Sequence, residues 1–141
     1  MEINNKVIEL IQLVKDGALD DLLSAIEHNK KTYSDWRLPR IQELLTLVDY
    51  EKHTPACALQ DTKDTYYWSS TTDASDTSYA WLVGFYDGSD GNDDKAYSYY
   101  VRCVRDGENG LEWSASSIKP MSWAEAHEYA ANLIAPVYYK E

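Results

Sequence analysis

Asp90, Asn92 and Asp94 stand at alternate positions in "SDGNDDKAYSYYV", the spacing at which a calcium-binding loop between helices places its first oxygen ligands. The match stops there. The sixth loop position would be Lys95 instead of glycine and the twelfth would be Val101 instead of a bidentate glutamate. Only a non-standard calcium site on Asp90, Asn92 and Asp94 is left as an alternative, and no cofactor is expected.

Hydrolytic chemistry finds less. His28, His53 and His127 lie in separate segments with no nucleophile or orienting acid at a recognisable spacing, and Ser69 and Ser70 in "YYWSSTTD" lack the glycines of a nucleophile elbow. No phosphate-cradling loop is present. The residues therefore predict no catalytic site and no enzyme.

What stands out is composition. Of the 37 residues from Asp64 to Tyr100, 28 are Tyr, Asp, Ser, Thr, Gly or Asn. Tyrosine offers rigid amphipathic contact area and the short polar residues offer adaptable hydrogen bonds, the combination found in antibody binding loops. The whole chain has 141 residues, 44% of them hydrophobic, enough for one domain with a packed core. Its net charge of -11 would repel the phosphates of a nucleic acid. The segment has neither a signal-peptide pattern at "MEINNKVIEL" nor an eighteen-residue apolar run, so the expected location is cytoplasmic, with a viral particle or cell surface reached by another route left open. Cys57 and Cys103 fit no close-spaced zinc motif and read as buried free thiols.

Several elements must hold this polar stretch. Ile3, Val7, Leu10 and Val14 predict one amphipathic helix ending near Gly17, and Leu19, Leu22, Leu23 and Ile26 a second. The pair could serve association into a homo-oligomer. A third helix should start after Pro39, with Ile41, Leu44, Leu45 and Val48 on one face, and end near Asp49. Trp81, Val83 and Phe85 alternate with Leu82, Gly84 and Tyr86, predicting a strand over 79–86 whose first set is buried and whose second set faces the acidic loop. A strand over 99–105 should turn at Asn109-Gly110 into a short strand at Leu111–Trp113. Ser122 and Glu125 have capping-box spacing, so a last helix should run to about Leu133. The class is α+β with an antiparallel sheet.

Four strings, "YSDWRLPRIQELLTLVDY", "YYWSSTT", "YAWLVGFYDG" and "YYVRCVRDG", together resemble the Lcl C-terminal domain family. The resemblance implies a C-type-lectin-like fold, a ligand-binding role, and a framework held by Trp36, Arg37, Leu38, Pro39, Trp68, Trp81 and Arg102. Some members resemble the variable proteins of diversity-generating retroelements, whose adenine-directed mutagenesis turns asparagine codons mainly into Tyr, Ser, Asp, Asn, Thr, Gly and Ala. Carried over position by position, that resemblance implies a ligand-binding set of Asp73, Ser75, Asp76, Thr77, Ser78, Leu82, Gly84, Tyr86, Ser89, Asp90, Asn92, Asp93, Ala96, Tyr97 and Ser98, with Gly91 among the substituted positions. The ligand would be a protein or a glycan, with neither nucleic acid nor membrane as partner. Alternatives are a calcium-dependent carbohydrate-binding module and a structural or assembly subunit.

One departure is in the order of the pieces. "GLEWSASSIKPMSWAEAHEYAANL" resembles the family's opening strand and first helix, yet it follows the closing strand. A circular permutation is expected, with residues 1–31 as an added helical piece and 32–141 as the lectin-like domain. The rival keeps the first helix at Leu19–Lys31 and makes the tail a partial second repeat or an arm exchanged with another subunit. Ala130 stands where the family often has Cys, which leaves Cys103 without its usual partner.

Overall fold

A computed structural model describes residues 30–141. The two helices expected at the N-terminus, their association stripe and His28 lie outside the described residues, as does nearly all of the 1–31 piece.

Two three-stranded antiparallel sheets and two helices make up the described chain, an α+β architecture. Helix α1 (Ile41–Leu45) opens after Pro39 as the sequence predicts. The Ile41 N–H is taken by Thr71 Oγ1 at 3.0 Å, and Glu43 Oε1 reaches back to the Arg40 N–H at 2.8 Å. It is shorter than its apolar stripe suggests. Thr46, Leu47 and Val48 donate to carbonyls three residues back, tightening the chain, and Val48 then bridges to Cys57.

The first sheet has the order β1-β2-β3, formed by β1 (Tyr66–Thr72), β2 (Tyr79–Gly84) and β3 (Ser89–Asp94). Trp68 pairs with Leu82 and Tyr67 with Val83 across β1 and β2. Because neighbours along a strand point to opposite faces, these pairs feed two separate cores. Trp68, Ala80 and Leu82 join Trp36, Leu38, Met121, Ala126, Tyr129 and Leu133 on one side, while Tyr67, Val83 and Phe85 join Ile41, Leu44, Leu47, Val104 and Trp113 on the other.

This corrects the expectation for 79–86. Val83 and Phe85 are buried, but Leu82 is only 3% exposed and Gly84 is buried too. A central strand covered on both faces reads as a continuous apolar run, and "YAWLVGF" is one.

The second sheet joins β4 (Arg102–Asp106), β5 (Leu111–Ser116) and β6 (Tyr139–Lys140). β4 and β5 form the expected hairpin, with Gly107 N–H bonded to Gly110 O at 2.9 Å and Gly110 at φ 142°. β4 begins later than 99, since Tyr99 and Tyr100 make only single bridges, to Met121 and Tyr67. Helix α2 (Trp123–Asn132) starts at the capping box as read: Ser122 Oγ accepts from Glu125 N–H at 3.3 Å and Glu125 Oε1 accepts from Ser122 N–H at 2.9 Å. Ala135 then pairs with Tyr33 through two backbone hydrogen bonds, so the C-terminal segment packs into this chain's own core.

A candidate recognition surface on a rigid sheet

The acidic stretch "SDGNDD" is a strand where a loop is expected. β3 pairs along its whole length with β2, from Gly84↔Ser89 to Tyr79↔Asp94. The turn between them needs Gly88 at φ 84°, and a side chain there would meet Val48 Cγ1 at 2.6 Å. Extension also separates the calcium candidates along the strand. Asp90 and Asp94 are four residues apart on a strand, about 13 Å, too far to share one ion. Among the described residues no group of three His, Cys, Asp or Glu side chains is placed to hold a metal.

The sequence-derived positions fall into two groups about 17 Å apart, the length of β3. At one end the β1–β2 loop carries Ser75, Asp76, Thr77 and Ser78, all exposed. Two turns stiffen it: Asp73 Oδ1 accepts from the Ser75 N–H and hydroxyl at 2.9 and 2.7 Å, and Asp76 Oδ1 accepts from those of Ser78 at 3.1 and 2.6 Å. Ala96, Tyr97 and Ser98 lie beside it.

Lys95 ties the two loops together. Its N–H donates to Ser78 O at 3.0 Å, and its ammonium donates to Thr72 Oγ1 and Thr77 O, each at 2.9 Å. The same ammonium sits 4.0 Å above the Trp123 ring, and Lys95 O accepts from Trp123 N–H at 3.0 Å, so the loops rest on α2.

At the other end are Tyr86, 63% exposed, and Ser89, which donates to Asp87. Exposed Asp90 and Asn92 and half-buried Gly91 and Asp93 join the ends along β3. Asp73, Leu82 and Gly84 are not on this surface. Asp73 is buried, its carboxyl held below the usual range by the Ser75 hydroxyl and N–H and the Asn92 amide. Its role is to hold the loop to β3.

Sequence reasoning missed Tyr66, Tyr99 and Tyr50. Tyr66 is 46% exposed and meets Tyr99 edge-on, with ring centres 5.5 Å apart. Tyr99 in turn packs on Trp68 at 5.0 Å and donates its hydroxyl to Asp93. Burial, together with the Asp93 carboxylate, pushes the Tyr99 phenol well up. Gly84 makes room for this arrangement, since a Cβ there would lie 2.8 Å from the Tyr66 ring. Tyr50, 71% exposed, flanks Gly88. The pairing of Tyr66 with Gly84 across β1 and β2 was the available signal, but it requires knowing the register.

Electrostatically the surface is one-sided. Between Asp76 and Tyr99 five aspartates accompany a single base, Lys95. No described side chain is arranged as a nucleophile with its base: Ser69 is buried and donates to Trp81 O at 2.7 Å, and His53 is exposed. His127 is half-buried, edge-on to Trp123 at 4.2 Å, and burial lowers its pKa. No described helix is long and apolar enough to cross a membrane.

The described residues form an α+β domain with short polar residues and tyrosines along β3 and in the loops at its two ends. The chain belongs to the Lcl C-terminal domain family, whose profile matches residues 15–105. No curated protein and no solved structure matches the chain.

Proposed function

We propose that this is a non-enzymatic recognition domain of C-type-lectin-like form whose tyrosine-, serine- and aspartate-rich rim binds a protein or glycan, and that the rim is diversified in the manner of retroelement variable proteins. The observation that carries the reading is the way exposure sorts the residues. Of the framework positions, Trp36, Leu38, Pro39, Trp68 and Arg102 are buried and Arg37 and Trp81 half-buried, whereas Ser75, Asp76, Thr77, Ser78, Tyr86, Ser89, Asp90, Asn92, Ala96, Tyr97 and Ser98 are exposed. Diversification tolerates change only where the core is untouched. Asp73, Leu82 and Gly84 depart from that rule and drop out of the proposed contact set.

Tyr86 and Tyr97 are the proposed anchors, because both are largely exposed and stand on opposite ends of β3. The test is the coding DNA and its surroundings. A reverse-transcriptase gene and a near-copy of codons 64–105 differing only at adenines are expected nearby; their absence would reduce the diversification reading to composition alone.

The permuted order is supported by the four-residue link between β4 and β5 and by α2 directly after β5. The rival order also has an observation in its favour: the family match begins at residue 15, upstream of Leu19–Lys31, and stops at 105, before β5.

A further inference from the structure

β3 is the terminal strand of its sheet, and among the described residues nothing pairs with its outer edge. Which main-chain groups face outwards follows from the pairing. Phe85 N–H bonds to Thr65 O at 2.9 Å, on the β1 side of β2. Alternation along β2 then turns Val83 and Trp81 towards β1 and turns Gly84, Leu82 and Ala80 towards β3. Their partners Ser89, Gly91 and Asp93 are thus the inward residues of β3, a set that Lys95 continues by donating to Ser78 O. Asp90 and Asn92 present their N–H and C=O groups to the outside. Among the described residues no main-chain group beyond β2 bonds to residues 90–93.

The geometry points to this edge as a docking site for an extended, cationic segment of another protein, which adds as a fourth strand. Main-chain bonds to Asp90 and Asn92 would supply the pairing, and Lys or Arg at every second position of the guest would meet Asp90 and Asp94 on one face of the sheet. Asp90 has no partner among the described residues and is exposed, so its charge is free for a guest.

Charge selects this occupant over others. A second copy paired edge to edge would set the aspartates of two β3 strands against each other, which is destabilising and is how natural edges resist self-pairing. This mode differs from recognition through Tyr86 and Tyr97, because it uses main-chain groups that side-chain substitution leaves in place.

The test is amide hydrogen exchange of the full chain by NMR, with and without a capped nine-residue peptide of alternating lysine and valine. In the free protein the Asp90 and Asn92 amides are expected to exchange fast while Gly91 and Asp93 are protected. The peptide should slow Asp90 and Asn92 at least tenfold. Two versions N-methylated on every second nitrogen, in the two phases, keep the charge; one phase should bind at least tenfold more weakly. The glutamate counterpart should not bind. Slow exchange of Asp90 and Asn92 in the free chain, equal binding of both methylated peptides, or no binding of the lysine peptide would each overturn the assignment. Tyr86→Ala and Tyr97→Ala should leave peptide affinity within twofold; a larger loss would move the peptide to the side-chain surface and overturn it equally.

Discussion

Arg102 and Asp61 form a two-pronged ion pair, at 2.5 and 3.3 Å, in which the guanidinium is sealed off at 1% exposure while the carboxylate keeps 27%. Two further guanidinium hydrogens go to Ser114 O at 2.8 Å and Thr62 Oγ1 at 2.9 Å, and Asp61 also accepts from Ser116 N–H at 2.8 Å. One contact thereby links the 57–65 loop to both strands of the β4–β5 hairpin.

Asp61→Ala leaves a buried guanidinium without its counter-charge and should cost about 3–5 kcal/mol. Combining it with Arg102→Met should cost much less than the sum of the two single changes. Urea unfolding of the four proteins in the cycle measures this.

Gly88→Ala meets both a left-handed backbone and the Val48 methyl, and should destabilise by about 1–3 kcal/mol. Tyr97→Ala, on the exposed rim, should stay within about 0.5 kcal/mol of the parent. Thermal melts of the two variants give the contrast.

Stability should fall at both ends of the pH scale. The Arg37 guanidinium, at 2.8 Å, holds the Glu43 carboxyl below its ordinary value of 4.5, so its contribution is present above that value and lost as pH falls. Burial lowers His127 from 6.5, which removes stability in the same direction, and His127→Phe should flatten the slope between pH 7 and 5. Burial raises Tyr99 and Tyr67 above 10.0, so their contribution holds below that pH and is lost as pH rises. Tyr99→Phe should weaken the alkaline loss, read from melting temperatures across the range.

Both thiols should be silent in the folded protein. Cys103 is fully buried, which pushes its thiol up to about 12, and Cys57 is 3% exposed and accepts from Thr62 Oγ1 at 3.2 Å. A colorimetric thiol reagent at pH 8 should label neither until denaturant is added, and then both.

A chain stopped after Gly107 loses β5, α2 and the core residues Trp113, Met121, Ala126, Tyr129 and Leu133. If the order is permuted it should show no cooperative melt by near-UV circular dichroism. A cooperative melt would favour the partial repeat or exchanged arm.

Local signals were legible where local chemistry decides the outcome. The Ser122–Glu125 box starts α2, and Asn109-Gly110 closes the β4–β5 hairpin, because caps and tight turns are settled within a few residues. β3 was illegible for the opposite reason. Asp, Asn and Gly have poor strand propensity, so "SDGNDD" is extended only because β2 offers a partner and the Gly88 turn delivers it. Leu82 was placed on the wrong side because alternation assumes one covered face, and α2 covers the second. The rim was recognised by composition, but its division into two ends and the Tyr66–Tyr99–Asp93 contact depend on register.

Trp36 Nε1 donates to the carbonyl of Ala135, 99 positions further on, and Tyr33 exchanges two backbone bonds with the same residue. During translation, a chain that has emerged only as far as β4 therefore lacks the groups that close its first core. Until the ribosome delivers Ala135, that core lacks its last backbone and indole partners, and Trp36, Trp68 and Leu82 lack the covering side chains of α2.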